Sequence, residues 1–108
     1  MRLEQKQRLC AGLLLAFVTC SAAIAQDARA LQTRSLAATC ASCHGTGGKP
    51  VDGTAVPGLA GVPAANLIEQ MKAFRAGSRQ ATVMHQIVKG YSDAQIEQLA
   101  AHFAAAPK

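Results

Sequence analysis

Apolar positions in this chain recur with helical spacing, and no segment alternates as a half-buried strand would. The clearest case lies near the C-terminus. Ile96, Leu99, Ala100 and Phe103 fall at i, i+3, i+4 and i+7. Ser92 and Gln95 ahead of them form a capping box, and Pro107 ends the segment. A second helix is predicted with Pro63 in its first turn and Gly77 at its end. It places Leu67, Met71 and Phe74 on one face. A short helix is expected from about Thr82 to Lys89, stopped by Gly90. A first helix, from about Asp27 to Thr39, rests on a weaker stripe of Leu31, the aliphatic stem of Arg34, and Leu36. Between the first and second helices, Gly45 to Gly61 holds too many glycines and prolines for any regular element. A loop of that length in a small domain is usually functional or wrapped round something. The pattern predicts an all-α fold of about four helices.

The N-terminal segment has a different pattern. Arg2, Lys6 and Arg8 precede an uncharged, largely apolar run from Leu9 to Ile24, and Ala23-Ile24-Ala25 gives a small-x-small site. This reads as a cleaved secretory signal peptide, residues 1–25, ahead of a single domain at 26–108. The apolar core from Ala11 to Val18 falls short of the ~20 residues a membrane span needs. Cys20 raises a lipoprotein alternative, but Phe17-Val18-Thr19 lacks the small residues expected before a lipidated cysteine. Removal of the signal lowers the formal net charge from +5 to +3. No Lys/Arg cluster marks a nucleic-acid footprint. The domain left is short, with no Trp, one Tyr and few Phe. So thin a core is marginal by surface-to-volume scaling, and a large flat apolar cofactor would complete it.

Two cysteines remain, Cys40 and Cys43. A disulfide between residues so close would close almost no loop and stabilise little. Cys40-Ala41-Ser42-Cys43-His44 instead has the C-x-x-C-H spacing of c-type haem attachment. Residues i and i+3 of a helical turn share a face, so both thiols can add to the two vinyl groups on one porphyrin edge. The imidazole of His44 then binds the iron from one side. A thioredoxin-like thiol pair would need a βαβ setting, which this pattern lacks. A zinc site would need four ligands, with His85 and His102 converging on the cysteine pair. The second axial ligand is sought among Met71, Met84, His85 and His102. Met71 belongs to an apolar helix face and His102 borders the core stripe of the last helix. Met84 follows Gly77 and Ser78, where the chain can turn across a second haem face, and His85 is its neighbour.

From Cys40 onward the sequence resembles the small class I cytochromes c. Within them it is most similar to cytochrome c4 and c553 domains and to the cytochrome subunit of flavocytochrome c sulfide dehydrogenase. The matching residues are Cys40 to Gly45, Pro57 to Gly61, Phe74 to Arg79, Met84, Tyr91-Ser92-Asp93, and Leu99 to Phe103. The resemblance implies helices wrapped around one covalent haem c, with the first and last helices crossing. It implies that the Pro57 carbonyl accepts the ring N–H of His44, that Leu59 packs on the haem, and that Arg79 pairs with a haem propionate. It also places a ligand methionine at Met84. His102 stands where relatives often carry an aromatic residue. The function implied is periplasmic electron transfer by a His/Met-ligated haem, with redox proteins as partners. The alternative is the haem subunit of an oxidoreductase docked to a flavoprotein. Two protein axial ligands leave no open site for a substrate, which argues against an enzyme acting alone.

The export reading makes a direct prediction. The mature protein begins at Gln26, and its intact mass after export corresponds to loss of residues 1–25. A mass retaining them, or a lipid on Cys20, would overturn both the signal assignment and the charge count.

Overall fold

The computed structural model describes Met1 and residues 23–108 with their side chains; residues 2–22 enter only within the span of the first helix. The chain carries α1 (Arg2–His44), α2 (Ala64–Ala76), α3 (Met84–Ile87) and α4 (Asp93–Ala105), with 3-10 turns at Thr46–Gly48 and Val88–Gly90. The described residues contain no strand, as the hydrophobic pattern predicts. Two compact units divide the chain, residues 1–32 and residues 33–108. Most of the expected signal segment, with Cys10 and Cys20, lies outside the described residues. Ile24 and Leu31, in the first unit, are exposed. Among the described residues no helix is long and apolar enough to cross a membrane.

The second unit is built around α4. Ile96, Leu99, Ala100 and Phe103 are all nearly or fully buried. Its capping box is complete: Gln95 N–H donates to Ser92 Oγ at 3.2 Å and Ser92 N–H to Gln95 Oε1 at 2.9 Å. These bonds satisfy two of the orphan donors at the helix start. Helix α2 packs on α4 and also on α3 and the turn after it. Leu67 of α2 joins Leu99, Ala100 and Phe103 in one buried cluster, with Met71 and Ile68 packed against it. Gly77 closes α2 in the left-handed region at φ 77°, and Ser78 N–H returns to the Ala73 carbonyl at 3.0 Å.

Several boundaries differ from the sequence pattern: α1 starts ahead of Asp27, at Arg2, and α3 gives way to a 3-10 turn after Ile87. Helix α1 continues past Thr39 through the cysteines to His44. Nothing between Thr39 and His44 breaks a helix; Gly45 is the first residue that does. Its face also differs. Leu31 is 66% exposed, whereas Ala37 is buried with Leu99, Ala100 and Phe103, and Leu36 and Cys40 pack against that cluster. A small alanine lets the chain come close, so the core-facing stripe is Leu36, Ala37, Cys40 and His44. Helix α3 begins at Met84 rather than Thr82. Thr82 and Val83 are β-branched and lose side-chain freedom in a helix. The loop before α2 also holds one regular turn, Thr46–Gly48.

The packing predicts a graded response to mutation. Phe103→Ala costs about 3–5 kcal/mol of stability, the usual range for a buried aromatic. Ser92→Ala costs about 1 kcal/mol, the value of a cap. Urea unfolding of the haem-loaded protein checks both, and equal losses would contradict the assignment of the core.

Candidate functional site

The last two turns of α1 hold Cys40, Cys43 and His44 together. Both cysteines are free thiols, Cys40 half-buried and Cys43 exposed. Burial pushes the Cys40 thiol up from its ordinary pKa, and a hydrogen bond with Thr39 opposes this in part. His44 closes the helix as a buried polar residue, 9% exposed. Its Nδ1 lies 2.7 Å from the carbonyl oxygen of Pro57. A carbonyl can only accept, so Nδ1 carries the proton. In a neutral imidazole the other nitrogen, Nε2, is then left with its lone pair free for a metal.

The loop is shaped to deliver that carbonyl. Gly45 leaves α1 at φ 81°, and a Cβ there would sit 1.9 Å from the Lys49 carbonyl oxygen. Gly48, at φ 78°, is buried; a Cβ would lie 2.9 Å from both the Ala60 nitrogen and the Phe103 ring. Its own carbonyl accepts from Leu59 N–H at 2.8 Å and Ala60 N–H at 3.1 Å. Gly61 N–H then donates to the Phe103 carbonyl at 2.8 Å. The far limb of the loop is thereby fastened to its near limb and to α4, and Pro57 comes to rest beside His44. Leu59, half-buried, packs against the central cluster that Cys40 also touches.

The remaining expected residues lie elsewhere. Arg79 is exposed, its guanidinium 4.8 Å above the Phe74 ring, a cation–π arrangement. Met84 and His85, both half-buried, are the first two residues of α3. Met71 packs against the core, and His102 makes an edge-to-face contact with Phe103, ring centroids 5.2 Å apart. A surface depression of about 420 Å³ is lined by Asn66, Glu69, Gln70, Ala73 and Arg79, and shares only Arg79 with the expected residues. It is lined by no thiol or imidazole. Three further contacts are not predicted by the residue pattern. The Tyr91 hydroxyl lies 2.7 Å from Thr39 Oγ1. Arg75 donates to the Tyr91 carbonyl at 3.3 Å and pairs with Asp93. That hydrogen bond, and then the guanidinium charge, hold the Asp93 carboxyl below its ordinary range.

Zinc is poorly served by this arrangement: among the described residues no three His, Cys, Asp or Glu side chains converge on a metal position. Two free thiols three residues apart on a helix, followed by a buried imidazole with Nε2 free, fit haem c. The comparison with protein families agrees. A cytochrome c model matches residues 32–105, well over half the chain. The chain belongs to the cytochrome c family. Haem c is therefore bound covalently through Cys40 and Cys43.

Relatives of this cytochrome narrow the family. A thiosulfate dehydrogenase electron acceptor of Thiomonas intermedia is 39% identical over 67 residues, covering 62% of this chain and 31% of the relative. Another protein of that description, from Stutzerimonas stutzeri, is 34% identical over 71 residues, 66% of this chain and 33% of the relative. The cytochrome subunit of sulfide dehydrogenase of Chlorobaculum tepidum is 34% identical over 68 residues, 63% of this chain and 60% of the relative. Among solved structures, cytochrome c4 of Acidithiobacillus ferrooxidans aligns at a TM-score of 0.57 and 35% identity, over 61% of this chain and 37% of that one. This cytochrome thus spans about a third of the length of its thiosulfate dehydrogenase relatives. The class I resemblance and the all-helical fold are both borne out. Two of these relatives are named as electron acceptors and one as a cytochrome subunit.

The thin core predicts that covalent haem is needed for folding. Replacing Cys40 and Cys43 together by Ser removes covalent haem, seen by peroxidase staining of a denaturing gel, and leaves a largely unfolded chain by circular dichroism. A cooperative thermal transition matching the parent's would refute this.

Proposed function

We propose that this protein is a periplasmic mono-haem cytochrome that carries single electrons, with His44 and Met84 as the axial ligands of its iron. The observation that carries the reading is the His44–Pro57 hydrogen bond at 2.7 Å. It fixes the tautomer and aim of the imidazole and raises its basicity, as partners of metal-bound histidines generally do. Haem c held there supplies an iron that cycles between ferric and ferrous states. The chain's own residues do the rest. Cys40 and Cys43 hold the porphyrin edge, Leu59 excludes water from the proximal face, and Arg79 is available to a propionate. A methionine on the distal side favours the ferrous form relative to two histidines. Met84 is supported by its place after the Gly77 turn and by the class I resemblance; His85 is adjacent but, on a helix, points about 100° away. Export is supported by the residue pattern before Gln26.

A second reading concerns the partner. Relatives are named as electron acceptors of thiosulfate dehydrogenase and as the cytochrome subunit of sulfide dehydrogenase. On that footing the cytochrome accepts electrons from an oxidoreductase of inorganic sulfur compounds, one arrangement being a stable complex with a flavoprotein. Copurification with a flavin-bearing subunit separates that complex from a free carrier.

Axial ligation is tested by substitution. Met84→Ala abolishes the sulfur-to-iron charge-transfer band of the oxidised protein and lets the reduced protein bind carbon monoxide. It lowers the midpoint potential by at least ~60 mV, a tenfold shift toward the ferric state. His85→Ala does none of these. A parent lacking the band, with ligation lost only in His85→Ala, would mean bis-histidine haem and a lower-potential role.

A further inference from the structure

Tyr91 stands where three helices meet. Its ring packs against the central cluster. Its hydroxyl lies 2.7 Å from Thr39 Oγ1 of α1, and its backbone carbonyl accepts from Arg75 of α2 at 3.3 Å. Two residues on, Asp93 opens α4 and completes the arrangement by pairing with the same Arg75. One end of this contact adjoins the attachment turn and the other follows the α3 segment in the chain. Thr39 immediately precedes Cys40, with its Oγ1 3.9 Å from the Cys40 sulfur and 2.7 Å from the Leu36 carbonyl oxygen that it donates to. Tyr91 immediately follows the 3-10 turn that continues α3.

The distal segment needs such an anchor. Helix α3 is a single turn of four residues, too short to persist by its own hydrogen bonds. The bonds around it close local turns: Gln86 and Ile87 N–H reach the Val83 carbonyl, and Tyr91 N–H reaches that of Val88. Val88 is fully buried, but Val83 and Ile87 are exposed. Apart from its packing on α2 and the buried Val88, the segment that carries Met84 and His85 is held by its fastening at the downstream end.

We propose that Tyr91 is a positioning residue for the distal side of the haem, its hydroxyl bond to Thr39 tying the attachment turn of α1 to the segment that carries Met84 and His85. The inference rests on the reading that this segment supplies the distal ligand. Losing the bond makes that segment lift away more often, without removing any group that touches the iron.

The test uses the intact, haem-loaded protein. Imidazole binding to the oxidised form requires the distal ligand to leave, so its rate at saturating imidazole reports that opening. Tyr91→Phe and Thr39→Val each raise the rate about fivefold, the factor expected from one net hydrogen bond. The double variant rises no further, because both substitutions remove the same bond. Thr39→Ser, which keeps the hydroxyl, restores the parental rate. A general loss of packing would give additive effects and no rescue. Unchanged rates in both single variants, with the charge-transfer band of the parent intact, would overturn the tie and leave Met84 ligation standing. Raised, non-additive rates in a protein lacking that band would sustain the tie while replacing Met84 by His85.

Discussion

One nitrogen of the His44 imidazole is committed to the Pro57 carbonyl, and the site depends on that commitment. The bond decides which tautomer is present, which nitrogen is free, and how far the ring can turn. It also explains why a polar side chain can be buried at the end of α1 at all. A buried donor left unpaired would cost on the order of 1–3 kcal/mol. Among the described side chains none is left buried and unsatisfied.

The bond makes demands on the loop. Pro57 cannot reach His44 unless the chain leaves α1 sharply, doubles back, and is pinned where it returns. Gly45 makes the exit and Gly48 the return, each at a positive φ that a side chain would resist. The Gly48 carbonyl then takes two N–H donors from the opposite limb. The cluster of glycines is thus a consequence of close backbone approach, not of looseness. The haem-side loop and the core are also one construction, since the Phe103 ring closes over Gly48 while its carbonyl receives Gly61.

Much of this was legible beforehand. The α4 stripe, its capping box, the α2 limits at Pro63 and Gly77, and the C-x-x-C-H motif are all local patterns, and the structure carries each of them. On α1 the apolar stripe points to Leu31, but the role falls to Ala37. Small residues signal close approach, which only a partner helix reveals. Helix α3 starts later than the periodicity suggests, because Thr82 and Val83 do not interrupt the pattern although their branching disfavours a helix. The Thr39–Tyr91 and Arg75–Asp93 contacts join residues far apart or on different elements, and spacing along one chain carries no record of them.

The Gly61–Phe103 bond and the seat of Gly48 against the Phe103 ring have a consequence in time. His44 is made early and Pro57 soon after, but the support that holds their loop in register comes from near the C-terminus. Such long-range closure is entropically slow. Until α4 docks, the attachment motif is accessible and its proximal brace unfinished. Because the haem-free core is too thin to close on its own, the thiols stay open to modification until the fold can form around what they have received.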